Sequence, residues 1–144
     1  MTDRISQTEY RKILHEAATE AQIQDAITAY LRTQRIPHTV TDATQTFNNK
    51  GQRVRRVSGG WPDITACWPN DGLFIGIEVK SAKGRLRPEQ AITLHALYMA
   101  GALVCVARSV DDVIQVLQTG KMRREDLMEI CRYKDKPVKR RARP

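Results

Sequence analysis

Gly59 to Gln90 reads GGWPDITACWPNDGLFIGIEVKSAKGRLRPEQ, and the arrangement of the rest of the chain follows from it. Its run Leu73-Phe74-Ile75-Gly76-Ile77-Glu78-Val79-Lys80 is apolar on both faces until Glu78. That pattern predicts a central strand covered on both sides. Strand side chains alternate, so Phe74, Gly76, Glu78 and Lys80 share one face. The bare Gly76 lets another group approach the backbone there. A second apolar run, Ile64 to Trp68, opens directly after Pro62-Asp63. The connector Pro69-Asn70-Asp71-Gly72 carries turn chemistry. A hairpin across it would bring Asp63 beside Glu78 on adjacent strands.

Two carboxylates and an ammonium on one sheet face are the parts of a phosphodiester hydrolysis site. Hard oxygen ligands favour Mg²⁺ or Mn²⁺, and few are needed because Mg²⁺ keeps several waters. Such a cation polarises a phosphoryl oxygen and acidifies a water. Lys80 is suited to orient or deprotonate that water, or to offset charge developing on the phosphate. Asp63, Glu78 and Lys80 are thus the candidate catalytic residues, with Asp63 and Glu78 as metal ligands. Singly the motifs say little. Glu-x-Lys occurs in many solvated strands, and Pro-Asp is ordinarily a turn or a helix cap. Their conjunction says more, because Glu78 ends a buried strand, where an unpaired charge is costly.

At these residues the chain resembles the PD-(D/E)XK nuclease superfamily, with Pro62-Asp63 and Glu78-Val79-Lys80 as its two halves. Within it, the pattern is similar to the VRR-NUC domain: Gly59-Gly60-Trp61-Pro62-Asp63-Ile64, then Glu78-Val79-Lys80, then Gly84 and Pro88-x-Gln90. That branch includes the nuclease domain of the Fanconi-associated nuclease and stand-alone viral and bacterial proteins. The resemblance covers residues 20 to 118. It implies a restriction-endonuclease-like core. It also implies a glutamate on the first core helix that reaches the metal. Glu20 is the matching position, with Glu16 close by; the plain alternative is a solvated glutamate favourable to the helix dipole. The resemblance further implies the Val79 backbone carbonyl as a metal ligand. Gln90 would be a catalytic-site residue that contacts substrate phosphate or the cation's water, against the plain alternative of a polar first-turn residue.

Composition sets the bounds. A chain of 144 residues with 41% hydrophobic residues suits one domain with a single core. Lys plus Arg number 24 against 16 Asp plus Glu, a net charge of +8. Such a balance suits a polyanionic partner, most simply DNA, although a solubilising surface accounts for charge alone equally well. Cys67, Cys105 and Cys131 show no paired spacing, which reads as reduced thiols and a cytoplasmic protein. Cys67 and Cys105 fall in predicted strands and are expected in the core. His15, His38 and His95 are isolated and read as structural. Met1-Thr2-Asp3-Arg4 is no signal peptide, and no apolar run reaches membrane-spanning length.

Residues 6 to 34 read as helix, either one long helix or two with a break near Ala18-Thr19, where Thr19 and Gln22 have capping-box spacing. The piece before the break, residues 6–18, is extra to the domain. Its stripe of Tyr10, Ile13, Leu14 and Ala17 suits a contact in a homodimer, or packing on the next helix. Ile36 to Thr46 reads as a strand. Gln52 to Ser58 reads as a strand or arm whose Arg53, Arg55 and Arg56 would hold DNA phosphates. An edge strand guarded by charge accounts for the same arginines. After Lys80 a basic loop offers Lys83, Arg85 and Arg87 as further DNA contacts. Pro88 opens a helix that ends at Gly101, apolar nearly all round and expected to be largely buried. A strand at Leu103–Ala107, a helix capped by Ser109 and a short helix over Arg123–Tyr133 follow. The tail 134–144, with Lys139, Arg140 and Arg141, reads as a basic, flexible DNA-binding arm.

The fold expected is α/β, a mixed central sheet flanked by helices, in one domain over residues 1–133. The activity expected is a Mg²⁺-dependent DNA endonuclease. The stand-alone VRR-NUC resemblance implies a structure-specific enzyme of the Holliday-junction-resolvase kind, acting on branched DNA as a homodimer. The alternatives are a nickase, an exonuclease or a restriction-like enzyme on the same site, and a non-catalytic DNA-binding module. A membrane partner is not expected.

Overall fold

The computed structural model describes residues 6–41, 46–54 and 59–133, the side chains of Thr46 and Arg53 excepted. In chain order the elements are α1 (Gln7–Ala17), α2 (Glu20–Thr33), β1 (His38–Val40), β2 (Thr46–Phe47), β3 (Arg53–Val54), β4 (Ile64–Cys67), β5 (Phe74–Val79), α3 (Pro88–Met99), β6 (Leu103–Ala107), α4 (Val110–Thr119) and α5 (Arg124–Cys131). Of one long helix or two, the structure has two, and a capping box separates α1 from α2. Thr19 Oγ1 accepts from Gln22 N at 3.2 Å, and Gln22 Oε1 accepts from Thr19 N at 3.0 Å. Ser6 and Glu9 make the same box at the start of α1. Each cap satisfies helix N–H groups that have no partner inside the helix.

Four strands form the central sheet in the order β1-β4-β5-β6. The first two pairings are antiparallel and β5–β6 is parallel, so the sheet is mixed. The β4–β5 hairpin turns at the expected place, where Asp71 Oδ1 accepts from Leu73 N at 3.0 Å. The parallel step from β5 to β6 needs a crossover, and α3 supplies it. β2 and β3 pair with each other in a separate two-stranded ribbon.

Alternation along the strands divides the core in two. Ile64, Ala66, Ile75, Ile77, Val79, Cys105 and Ala107 face Ile23, Ile27 and Leu31 of α2 and Val113 and Val116 of α4. Val104 and Val106 face Ala91 and Leu94 of α3 and Ile130 of α5. Burying a side chain such as Ile27, Leu31 or Ile77 contributes roughly 1.5–3 kcal/mol. The sheet is thus covered on both faces, and Glu78 has no solvent face to escape to.

Three expectations differ from the structure. The strand expected over Ile36–Thr46 is shorter, His38–Val40. Cys67 is exposed rather than in the core, because it is the last residue of β4 and points away from the α2 side. The helix after Pro88 is not largely buried. Only Gln90, Ala91 and Leu94 are, while Tyr98 and Met99 are exposed, because the sheet covers one face of a helix and α5 only part of the rest. The expected contacts at Arg55, Arg56, Lys139, Arg140 and Arg141, the Arg53 side chain and the tail 134–144 lie outside the described residues. Among the described residues, no helix is long and apolar enough to cross a membrane.

Candidate active site

The loop before β4 is pinned at three points. Gly60 has φ +85° and lies against the Glu89 carbonyl and Thr93 Oγ1 of α3, where a Cβ would collide with backbone. Trp61 meets Phe74 edge-on, ring centroids 5.9 Å apart. Pro62 is fully buried on the bare Gly76; a Cβ there would stand 3.1 Å from Pro62 Cγ. These contacts explain Gly60-Trp61-Pro62 physically. They deliver Asp63 to β5, where its Oδ2 accepts from Val79 N at 2.8 Å.

Glu78, Lys80 and Gln90 stand on the α3 side of the sheet. Glu78 is 1% exposed, Lys80 5% and Gln90 9%. Lys80 Nζ is 3.5 Å from Glu78 Oε1. Gln90 Nε2 donates to the same Oε1 at 2.6 Å, and its Oε1 accepts from Arg87 N at 2.9 Å. Gln90 therefore caps the first turn of α3 and fixes Glu78 with one side chain. The other oxygen, Glu78 Oε2, is buried without a hydrogen-bond partner.

Burial, then the nearby Asp63 charge, pushes the Glu78 carboxyl up to about 8, against the opposing pull of Lys80. Burial also raises Asp63, offset in part by the Val79 N–H and by Lys80. Glu20, the exposed first residue of α2, adds a smaller upward push on Asp63, so its charge is felt at the site. Among the described residues, no three carboxylate, imidazole or thiol side chains converge to hold a metal by themselves.

The donor set still fits a divalent cation. Two carboxylates share the single ammonium of Lys80, and both still resist ionisation, so the pair has room for a further positive charge. Mg²⁺ needs only one or two carboxylates because it keeps its own waters. The structure thus brings together Asp63, Glu78, Lys80 and Gln90. Val79 meets them through its N–H. Glu20 sits at the edge. Lys83 and Arg85 line a neighbouring cleft, and exposed Arg87 lies 3.9 Å from Glu89.

Sequence reasoning missed Arg108, Arg123 and buried Asp126. Asp126 Oδ1 accepts from Arg108 Nη1 at 3.2 Å, and its Oδ2 from Arg123 Nε at 3.1 Å. Arg108 Nη2 donates to Gly84 O at 2.9 Å, which ties the loop after Lys80 to α5. One signal was available. Asp126 stands four residues before inward-facing Ile130 and so shares its face.

A mixed sheet with carboxylates and a lysine at the hairpin between its central strands is a nuclease fold of the restriction-endonuclease-like kind. More narrowly, the chain belongs to the VRR-NUC domain family, whose model matches residues 3–111. That segment takes in α1 and ends in the first turn of α4. No curated protein and no solved structure matches the chain.

Proposed function

We propose that this chain is a divalent-cation-dependent DNA endonuclease whose centre is Asp63, Glu78, Lys80 and Gln90. The observation that carries this reading is the juxtaposition of buried Glu78 with half-buried Asp63: Glu78 Oε2 accepts no hydrogen bond from a nitrogen or hydroxyl and faces a second carboxyl instead. Two carboxylates that share one ammonium, Lys80, in a buried setting are costly to ionise unless a further cation completes them.

Mg²⁺ or Mn²⁺ supplies a Lewis acid toward the phosphoryl oxygen and a more acidic water. Asp63 and Glu78 would hold the ion, with the Val79 carbonyl and Glu20 as further oxygen donors. Asp63 Oδ2 is engaged by the Val79 N–H, which leaves Asp63 Oδ1 and Glu78 Oε2 to offer. Lys80, held against Glu78, presents fixed positive charge to the phosphate as negative charge develops there. Gln90 holds the Glu78 carboxylate at the end of β5, so its orientation is set before substrate arrives.

Within this reading the substrate is branched DNA of the four-way-junction kind, cut by a homodimer in the cytoplasm. Two symmetric cuts need two sites, and a two-fold dimer supplies them. The supporting observation is α1, which buries none of its residues and leaves Tyr10, Ile13 and Leu14 exposed. Arg53, Arg55, Arg56, Arg87 and the tail residues Lys139, Arg140 and Arg141 would add sequence-independent phosphate contacts. Digestion of plasmid and of branched duplexes with Mg²⁺, Mn²⁺ or EDTA tests this reading. Cation-dependent internal cuts with a preference for the branch are expected. Attack from ends only would make it an exonuclease, and binding without cleavage under any cation would make it a DNA-binding module.

A further inference from the structure

A cleft of about 550 Å³ opens between the loop after Lys80 and α5. Lys83 and Arg85 line it from the loop, Arg108 from the residue after β6, and Arg123 and Arg132 from either end of α5. Glu125, Asp126 and Glu129 line it too, so five cationic groups meet three carboxylates. One carboxylate is already spent. Asp126 is 3% exposed and accepts from both Arg108 and Arg123, and Arg108 is held a second time by the Gly84 carbonyl.

These bonds fix two guanidinium groups without exhausting them. A guanidinium carries five N–H donors. Arg108 uses its two terminal nitrogens once each, and Arg123 uses only Nε. Two rigid, partly unsatisfied guanidinium groups on a cleft wall are suited to an oxyanion, because little side-chain entropy remains to be lost on binding. The cleft also adjoins the carboxylate centre. A Cβ on Gly84 would lie 3.4 Å from Lys80 Cβ, so the loop that forms one wall packs directly on the lysine.

We propose that this cleft binds backbone phosphates of the nucleic-acid strand that occupies the Asp63–Glu78 site, with Arg123 and Arg132 as the contacts contributed by α5. The inference rests on the nuclease reading above and extends it to a helix outside the segment that the family model matches. The acidic residues Glu125 and Glu129 oppose binding and keep it weak enough for release.

The test is fluorescence anisotropy of a fluorescein-labelled duplex in EDTA, from about 50 to 200 mM salt, where phosphate contacts show as a log–log slope of about 0.9 each. R123Q/R132Q should lower that slope by up to about 1.8 and weaken binding at the lower salt by about tenfold. E125Q/E129Q should tighten it. R32Q, an exposed arginine on α2, sets the background for loss of a surface charge. Should thermal melting show R123Q/R132Q unfolded, K83Q/R132Q replaces it, since both of those side chains are exposed. A slope change no larger than that of R32Q, or no binding by the unaltered protein, would overturn the proposal. Cleavage is read separately. Normal cation-dependent cleavage with unchanged slopes removes the cleft and leaves the nuclease; binding that responds as expected without cleavage under any cation removes the nuclease and leaves the cleft.

Discussion

Gln90 and Glu78 meet at 2.6 Å, amide nitrogen to carboxylate oxygen, and the other end of the same amide caps the Arg87 N–H. One side chain therefore serves helix α3 and the carboxylate centre together. The two uses are separable by substitution. Q90A removes both, and should cost about 1 kcal/mol of stability from the cap and about 10- to 100-fold in activity. Q90E keeps an acceptor for Arg87 N but sets a further buried carboxyl against Glu78 and Asp63. Its stability should fall as pH rises, where that of Q90A loses only the cap, and it should lose as much activity or more, with its pH optimum moved upward. Melting curves and cleavage rates measured on both variants check this. Equal activity in Q90E and the unaltered protein would leave Gln90 as a cap alone.

Asp63 immediately precedes β4, and its carboxylate reaches the end of β5, which carries Glu78 and leads into Lys80. D63A and E78A should each abolish cleavage while leaving DNA binding close to intact, since binding draws on the basic surface. K80A should lose rate by orders of magnitude and keep cation affinity, because its charge acts on the transition state. Cleavage assays paired with calorimetric Mn²⁺ titrations separate these outcomes. Substantial cation-dependent cleavage by D63A or E78A would remove the site assignment.

The raised carboxyls make a signed prediction about pH. The Glu78 carboxyl is moved from 4.5 to about 8 in the folded chain, so between those values the folded state holds a proton that the unfolded state has released. Stability in EDTA is thus fully present below about pH 4.5 and is lost as pH climbs toward 8, by a few kcal/mol in order of magnitude. A bound cation needs the carboxylates ionised, so its affinity should rise over the same window and its binding should release protons. Mn²⁺ or Mg²⁺ at pH 8 should raise the melting temperature more than at pH 6. E78Q should flatten the metal-free profile. Thermal melts across this range, with and without cation, are the check, and a flat profile for the unaltered protein would contradict it.

The loop before β4 gives a steric prediction. G60A places a Cβ onto the Glu89 carbonyl at a φ of +85°, and G76A places one against Pro62. G60A should lose about 1–3 kcal/mol through backbone strain and clash. G76A should cost less stability, since Pro62 need move only a few tenths of an ångström. It should still lower cleavage, because Pro62 carries Asp63. Denaturant titration and single-turnover rates distinguish the two, and a fully active G76A would show that the Pro62 contact does not set Asp63.

What could be read in the sequence follows from range. The β4–β5 hairpin and its carboxylates are legible because alternation, the Asp71-Gly72 turn and the Glu-x-Lys ending are all local. The Thr19–Gln22 box and Pro88 are local too, and they mark α2 and α3 correctly. The exposure of Cys67, Tyr98 and Met99 was not legible, because apolar residue type does not reveal which face a neighbour covers. The Arg108–Asp126–Arg123 cluster was hidden for a related reason. Asp126 on an inward face signals that a partner must exist, but the partner is set by the docking of α5 beside the β6 end and the Gly84 loop. The double use of Gln90 was only half visible: its first-turn place is local, its reach to Glu78 tertiary.

Tyr10 is 57% exposed, Ile13 50% and Leu14 53%, and no residue of α1 is buried. A stripe packed on α2 would bury some of these side chains, and none of α1 is buried. Such a cluster of exposed apolar side chains on one helix is suited to an interface. A two-fold pairing of α1 helices would cover the stripe and bring together two carboxylate centres. Light scattering at micromolar concentration should then give twice the mass of the chain. I13K/L14K should give a monomer of unchanged melting cooperativity that still cuts linear duplex, since both side chains are exposed and neither belongs to the Asp63–Glu78–Lys80–Gln90 cluster. On four-way junctions the variant should nick one strand per encounter where the unaltered protein makes paired cuts. A monomeric unaltered protein would remove the dimer and the paired-cut reading together, and would leave the cation-dependent site to be judged by the Asp63 and Glu78 variants.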